Sequence, residues 1–219
     1  MKIEWLGHSC FKLTESTGTS VITDPFDPYF GIDMPEVSAD AVTISHKHKD
    51  HSALNKVKDY KEVFDCTGGF EFSGIHIYSF MSFHDEKKGA LRGKNLIFKF
   101  GIDGVDVTHL GDVGEPLTPM LAELIAPTNV LLLPVGGKYT ISPEVAKEYV
   151  DLIMPDVVIP MHYQTDNCEM DILELDEFLD LFNEDIIEYV DGNSIEFDRT
   201  NFDGEATKII VFKKEPSKA

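Results

Sequence analysis

The stretch His46-Lys47-His48-Lys49-Asp50-His51 puts three imidazoles and a carboxylate into six residues, directly behind the apolar run 41–45. Imidazole nitrogens and carboxylate oxygens are the donors a borderline divalent metal takes, and a loop leaving a strand end can turn alternate side chains to two sides of one site. Ligand-type residues at this spacing rarely coincide in a merely solvated His/Lys turn. Further donors stand where other β-rich runs end: Asp24 after 19–23, His84-Asp85 after 75–83, Asp112 after 105–110 through Gly111, and Met161-His162 after 157–160. In layered α/β folds the carboxyl ends of strands gather along one edge, where ligands and metals bind. Donors remote in the chain are therefore expected to converge.

The elements that must position them read as follows. Alternating Ile3 and Trp5, a turn at Gly7-His8-Ser9, the run 10–14, a turn near Gly18 and the run 20–23 predict a β-meander forming one outer edge of a sheet. Ser52 is placed to cap a helix over 52–60. Strands are expected at 62–66, 70–80, 95–100 and 104–109. Beyond them a helix at 119–125, a strand at 130–133, a helix at 143–153 capped by Ser142 and a strand at 157–159 alternate. A helical stretch over 172–182 and strands at 186–190, 194–198 and 207–212 close the chain. A meander followed by β/α alternation predicts a layered α/β sandwich. With no repeat, low-complexity tract or linker to divide it, the chain is expected to form one domain over 1–213 with a frayed tail at 214–219.

The set His46-x-His48-x-Asp50-His51, His84, Asp112 and His162 resembles that of the metallo-β-lactamase superfamily. Trp5-Leu6-Gly7-His8-Ser9-Cys10-Phe11, Thr23-Asp24-Pro25-Phe26, His109-Leu110-Gly111-Asp112, Pro134-Val135-Gly136-Gly137 and Pro160-Met161-His162-Tyr163 are similar to the branch of ascorbate-6-phosphate lactonase-like proteins and uncharacterised metal-dependent hydrolases. The resemblance runs from residue 1 to about 200. It implies a four-layer αββα sandwich, with His46, His48 and His84 on a first metal, Asp50, His51 and His162 on a second, and Asp112 bridging both. Such a donor set leaves room for a bridging hydroxide between ions roughly 3.5 to 4 Å apart, and metal binding lowers the pKa of that water from about 15.7 toward ~7. No serine or cysteine nucleophile is then required. Zinc is the first expectation for so histidine-rich a site, and manganese or iron also fit mixed N/O donors.

Other residues have two readings each. His109 shares a strand face with Val105 and Val107 and either supports Asp112 or is a satisfied core histidine. Asp24 either accepts a hydrogen bond from a ligating imidazole or is a turn carboxylate before Pro25. The resemblance places His8 near the metal pocket; its turn alone would also account for it. Tyr163, Lys138 and Tyr139 follow strand ends, where they either contact substrate and steady a developing oxyanion or are plain loop residues. Arg92 either steadies a substrate anion or is a loop residue. His76, on the other face from Ile75 and Ile77, is expected to be exposed. The catalytic group expected from these readings is Asp50, Asp112, His109 and Tyr163. The short stretch between His51 and His84 leaves little room for long inserted loops.

Composition narrows the function classes. Over 219 residues, 42% are hydrophobic and 26% charged, as in ordinary globular chains. No apolar run approaches the ~20 residues of a membrane span. The start, Met1-Lys2-Ile3-Glu4-Trp5, lacks the basic and apolar regions of a secretory signal, and three cysteines in no C-x-x-C arrangement fit reduced thiols, so a cytoplasmic location is expected. Nineteen basic against 39 acidic residues give a net charge of −20, with acids concentrated over 169–185. Such a field repels polyanions, so no nucleic-acid partner is expected. The expected function is metal-dependent hydrolysis of a small molecule, with family likeness favouring a lactone or other ester. The alternatives are a phosphodiesterase or ribonuclease on the same metals, and a non-catalytic metal-binding module.

Overall fold

The computed structural model describes residues 1–28, 31, 33–166, 168–202 and 204–213. The expected tail, 214–219, lies outside the described residues. In chain order the strands are β1 (Lys2–Gly7), β2 (Cys10–Thr14), β3 (Ser20–Thr23), β4 (Val37–Ser38), β5 (Ala41–Thr43), β6 (Val57–Lys58), β7 (Glu62–Phe64), β8 (Gly68–Phe72), β9 (Ile75–Phe83), β10 (Lys94–Ile102) and β11 (Val105–His109). Helix α1 (Pro119–Ile125), β12 (Val130–Pro134), α2 (Pro143–Ile153), β13 (Val157–Met161), α3 (Asp176–Leu179), β14 (Ile187–Val190), β15 (Ser194–Glu196) and β16 (Lys208–Phe212) follow.

The strands form a six-stranded sheet, β15-β1-β2-β3-β5-β7, an eight-stranded sheet, β14-β16-β13-β12-β11-β10-β9-β8, and a ribbon, β4-β6. Inward side chains of the two large sheets share one core, with Ile3, Trp5, Phe11 and Leu13 from the first and Ile77, Phe98, Val107 and Leu132 from the second. Helices α1 and α2 begin as the sequence predicts. Thr118 and Ser142 accept hydrogen bonds from the Leu121 and Val145 amides, and proline occupies the first turn of each helix, where its missing N–H costs nothing.

Four expectations are corrected. The run 70–80 is not one strand: β8 ends at Phe72, and the chain turns at Ser73-Gly74 to pair antiparallel as β9. The meander is not an outer edge, because β15 pairs with β1 and covers it. The segment 52–60 is not a helix: the Ser52 hydroxyl donates to the His48 carbonyl instead of capping, the Ala53 amide bonds to Pro25, and only Leu54–Lys56 forms a 3-10 turn before β6. That turn and the ribbon cover the outer face of the six-stranded sheet, with Val57 of β6 in one cluster with Ile22, Phe26 and Val42. Of 172–182 only Asp176–Leu179 is α-helical, because Leu173 is held by backbone hydrogen bonds with Gly136 and Gln164. No helix among the described residues is long and apolar enough to cross a membrane.

Strand direction explains why distant residues meet. β1, β3 and β5 run parallel to one another, since β1-β2 and β2-β3 are antiparallel and β3-β5 parallel. By the same count β9, β11, β12 and β13 share one direction. His8, Asp24 and the His46–His51 loop follow the ends of β1, β3 and β5, while His84, Asp112 and His162 follow β9, β11 and β13.

Candidate metal centre

The centre is built around one carboxylate oxygen. Oδ2 of the buried Asp112 lies 3.2 Å from Nε2 of both His51 and His84, 3.3 Å from Nε2 of His162 and 3.7 Å from Nε2 of His46. Two donor clusters flank it. The donor atoms of His46, His48 and His84 lie within 4.8 Å of one another, and so do those of His8, Asp50, His51 and His162. The trios expected from sequence thus stand together, and His8 joins the second.

These separations are too long for good hydrogen bonds, which to a carboxylate run at about 2.7–2.9 Å. They match donors sharing an ion: legs of 2.0–2.2 Å at a tetrahedral angle separate two donors by roughly 3.3–3.6 Å. Nε2 of His46, His51 and His162 and Oδ1 of Asp112 are buried without a hydrogen-bond partner. Since buried polar groups are otherwise paired, this concentration of orphaned donors fits a divalent cation.

The backs of two of these imidazoles are held by Asp24. Its Oδ1 accepts the Ser45 amide at 2.7 Å, and its Oδ2 accepts the Ser45 hydroxyl at 2.5 Å and the His51 Nδ1–H at 2.9 Å. With its proton on Asp24, the Ser45 oxygen accepts from Nδ1 of His46 at 2.9 Å. One fully buried carboxylate thereby keeps a proton on Nδ1 of both His46 and His51 and turns their Nε2 atoms toward the centre. Burial pushes the Asp24 carboxyl up, but the His51 hydrogen bond and charge outweigh it and hold it below the usual range.

Asp112 is held well below the carboxylate range, since His162 and His51 overcome the effect of burial. Burial lowers His51, but Asp112 and Asp24 on either side push it well above the ordinary value. His46 falls to about 3 and His8 to about 4, chiefly through burial, so both are neutral at neutral pH.

Asn95 and Gly111 fix the turn that presents Asp112. The Asn95 side chain accepts the Asp112 amide at 2.9 Å and donates to the Leu110 carbonyl and the Ser82 hydroxyl, both at 2.8 Å. Gly111 has φ 55°, and a Cβ there would stand 2.3 Å from Asn95 Oδ1 and 2.6 Å from Ser45 Cβ. Sequence reasoning gave no role to Asn95 or Ser45. An amide interrupting the apolar alternation of β10 was the available signal for Asn95, and a hydroxyl next to His46 was the signal for Ser45.

A cavity of ≈ 690 Å³ opens onto the centre, lined by His48, Asp50, His84, Asp112 and His162, with Arg92, Tyr139, Lys47, Lys49 and Met170 around its wall. The Asp85 carboxylate accepts the backbone amides of Lys87, Gly89, Leu91 and Arg92 at 2.7–3.0 Å, which folds the charged loop after His84 and brings Arg92 to the cavity. The Arg92 guanidinium lies 5.5 Å from the Tyr139 ring centroid. Lys138 is paired with Asp171, and His76 is exposed on its strand.

Two residues of the expected catalytic group stand elsewhere. His109 donates through Nε2 to the Ser9 carbonyl at 2.8 Å and accepts the Gly111 amide on Nδ1 at 3.1 Å, so both nitrogens are committed to backbone behind the centre. It holds the Gly111 turn that precedes Asp112 from behind. Tyr163 stacks on Trp5, with centroids 5.8 Å apart, and lines a different cavity with Gln164 and Lys213. The left-handed backbone of His162, φ 53°, sends the following side chain to the other side.

Comparison with known proteins agrees with this architecture. Residues 2–162 match the family model described as a β-lactamase superfamily domain. A UPF0173 metal-dependent hydrolase of Methanoculleus marisnigri is 31% identical over 188 residues, 75% of this chain and 82% of that protein. A crystal structure from Thermotoga maritima, assigned as a Zn-dependent hydrolase of the metallo-β-lactamase superfamily, is 41% identical with a TM-score of 0.79, covering 96% of this chain and 97% of that one. An isothiocyanate hydrolase from Delia radicum gut bacteria, 17% identical with a TM-score of 0.67 over 90% of this chain and 99% of that one, shares the fold. The chain belongs to the metallo-β-lactamase superfamily, and within it is a metal-dependent hydrolase.

Proposed function

We propose that the chain hydrolyses a small carboxylic ester or lactone using two divalent ions, zinc first, held by His46, His48 and His84 and by Asp50, His51 and His162, with Asp112 between them. The observation that carries this is the ring of four imidazole Nε2 atoms at 3.2–3.7 Å around one carboxylate oxygen, those of His46, His51 and His162 being buried and unpaired. Zinc is supported by the histidine-rich donor set and by the assignment of the Thermotoga maritima relative. Divalent cations held there would bring the pKa of bound water toward ~7 and draw electron density from the carbonyl of a substrate.

The protein's own groups do the rest. Asp24 and Ser45 fix the tautomers of His51 and His46. Asp50, which faces the cavity, stands where it can take the proton shed as water adds to the acyl carbon and the C–O bond breaks to carboxylate and alcohol. Arg92, steadied by Tyr139 and the Asp85 loop, binds a negatively charged part of the substrate. Tyr139 and Met170 give the cavity apolar surface against which the rest of a small molecule packs. The net charge of −20 disfavours nucleic acid as that anion.

A screen of the zinc-, manganese- and iron-loaded protein against lactones, open esters, thioesters, amides and phosphodiesters tests the proposal. Turnover of esters or lactones by protein carrying two ions is expected. Activity confined to phosphodiesters would replace it with the nuclease reading, and no turnover by the two-ion protein in any class would leave a metal-binding module.

A further inference from the structure

His8 is the buried imidazole of the centre to which the proposed ligand division gives no task. It sits in the turn between β1 and β2 with a left-handed backbone, φ 51°. Its carbonyl accepts the Trp5 indole N–H at 3.0 Å and the His162 amide at 3.4 Å, so the backbone beneath the ring is tied down on two sides. The side chain is 1% exposed, yet neither ring nitrogen has a hydrogen-bond partner. A buried imidazole satisfied by nothing needs a partner that hydrogen bonding among these side chains does not supply.

Geometry identifies that partner. Nε2 of His8 lies 3.5 Å from Oδ2 of Asp50, longer than a charge-assisted hydrogen bond and equal to the spacing of two donors on one ion. The ring is 4.4 Å from that of His162 and 5.1 Å from that of His51, centroid to centroid. The residues around the cavity include Asp50 and His162 but not His8, so His8 approaches from the protein side.

We infer that His8 is a ligand of the second metal site, completing a donor set with Asp50, His51, His162 and Asp112. This rests on the two-site reading above. It makes the two sites unequal. Both sites send two ligands to the cavity wall, but the second gains an extra buried imidazole and has no exposed ligand, while the first includes the exposed His48 and is the more open to solvent. Chelator should therefore strip the first ion before the second.

The test uses zinc-loaded full-length protein and the variants His8→Asn and His8→Gly, since asparagine and glycine both tolerate a left-handed backbone. Chelator competition with elemental analysis should show the second ion lost at about tenfold lower chelator, or less, in both variants. The first ion should be held as before. Cobalt-loaded variants should show altered ligand-field absorption in the second-site bands, and thermal melts of the metal-free proteins check folding. The unsubstituted protein gives an independent readout by nuclear magnetic resonance. Of its eight histidines, all but His76 and His109 should show the large hyperfine shifts of cobalt-ligating rings. An unshifted His8 ring, or variants that hold the second ion with unchanged affinity and spectrum, would overturn the inference alone. A wild-type protein that takes up only one ion would overturn the two-site reading together with it.

Discussion

Replacing Asp24 with asparagine changes one atom of a group that touches no substrate, and should still cost metal affinity. The fully buried carboxylate accepts three hydrogen bonds, from the Ser45 amide, the Ser45 hydroxyl and Nδ1 of His51. An asparagine keeps its oxygen on the Ser45 amide, because an amide NH2 there would oppose another N–H. Its NH2 then faces His51 and donates to Nδ1, which drives the imidazole proton to Nε2, the nitrogen 3.2 Å from Asp112 Oδ2. A protonated Nε2 cannot ligate. The flipped amide restores the tautomer but leaves buried donors opposed, at about 1–3 kcal/mol for an unsatisfied group. Either outcome agrees with the 10–100-fold loss typical when the group behind a ligating histidine is removed, about 1.4–2.7 kcal/mol. The Ser45–His46 contact is disturbed as well, so both sites should weaken. Competition of zinc-loaded protein against a chromophoric chelator measures the loss, with far-ultraviolet circular dichroism as the control for folding. If Asp24→Asn holds zinc as tightly as the unsubstituted protein, the carboxylate does not set the tautomers and the reasoning fails.

Asp112→Ala removes the oxygen shared by both clusters and should lower bound metal below two ions and turnover by orders of magnitude, by elemental analysis and rate. His76→Ala, on an exposed strand position, should change neither. Gly111→Ala forces a Cβ against Asn95 and Ser45 at φ 55°, and should destabilise by about 1–3 kcal/mol, a Tm loss of roughly 2–12 °C in a thermal melt. Arg92→Gln should raise KM for an anionic ester about tenfold with little change in kcat, and leave uncharged esters unaffected. Burial lowers the His51 pKa, but Asp112 and Asp24 raise it well above the ordinary value, so His51 carries a proton at neutral pH that an incoming ion must displace. His46, at about 3, and His8, at about 4, carry none there. Zinc binding at pH 7 should therefore release about one proton and tighten as pH rises, measured by calorimetry in buffers of different ionisation enthalpy; enthalpies independent of buffer would contradict it.

Local pattern carried most of the strands and the donor-type residues that follow them, though the turn at Ser73-Gly74 inside the run 70–80 escaped it. A strand's period is local, and a ligand motif must keep its spacing because its side chains leave one loop. Hence His46, His48, Asp50 and His51, and the later His84, Asp112 and His162, are legible one loop at a time, as is the Ser142 cap of α2. What lay beyond the sequence depends on neighbours that local pattern does not encode. Residues 52–60 carry a plausible cap, yet Ser52 and Ala53 find better partners in His48 and Pro25, and Val57 pairs in a ribbon. Tyr163 follows His162 in sequence but leaves the site because the left-handed backbone at His162 turns it toward Trp5. His109 points inward as its strand face requires, and only the packed structure shows both nitrogens already taken by Ser9 and Gly111. For His8, Ser45 and Asn95 the deciding fact is complete burial beside groups far along the chain, and burial is a property of the assembled sheets rather than of any segment of them.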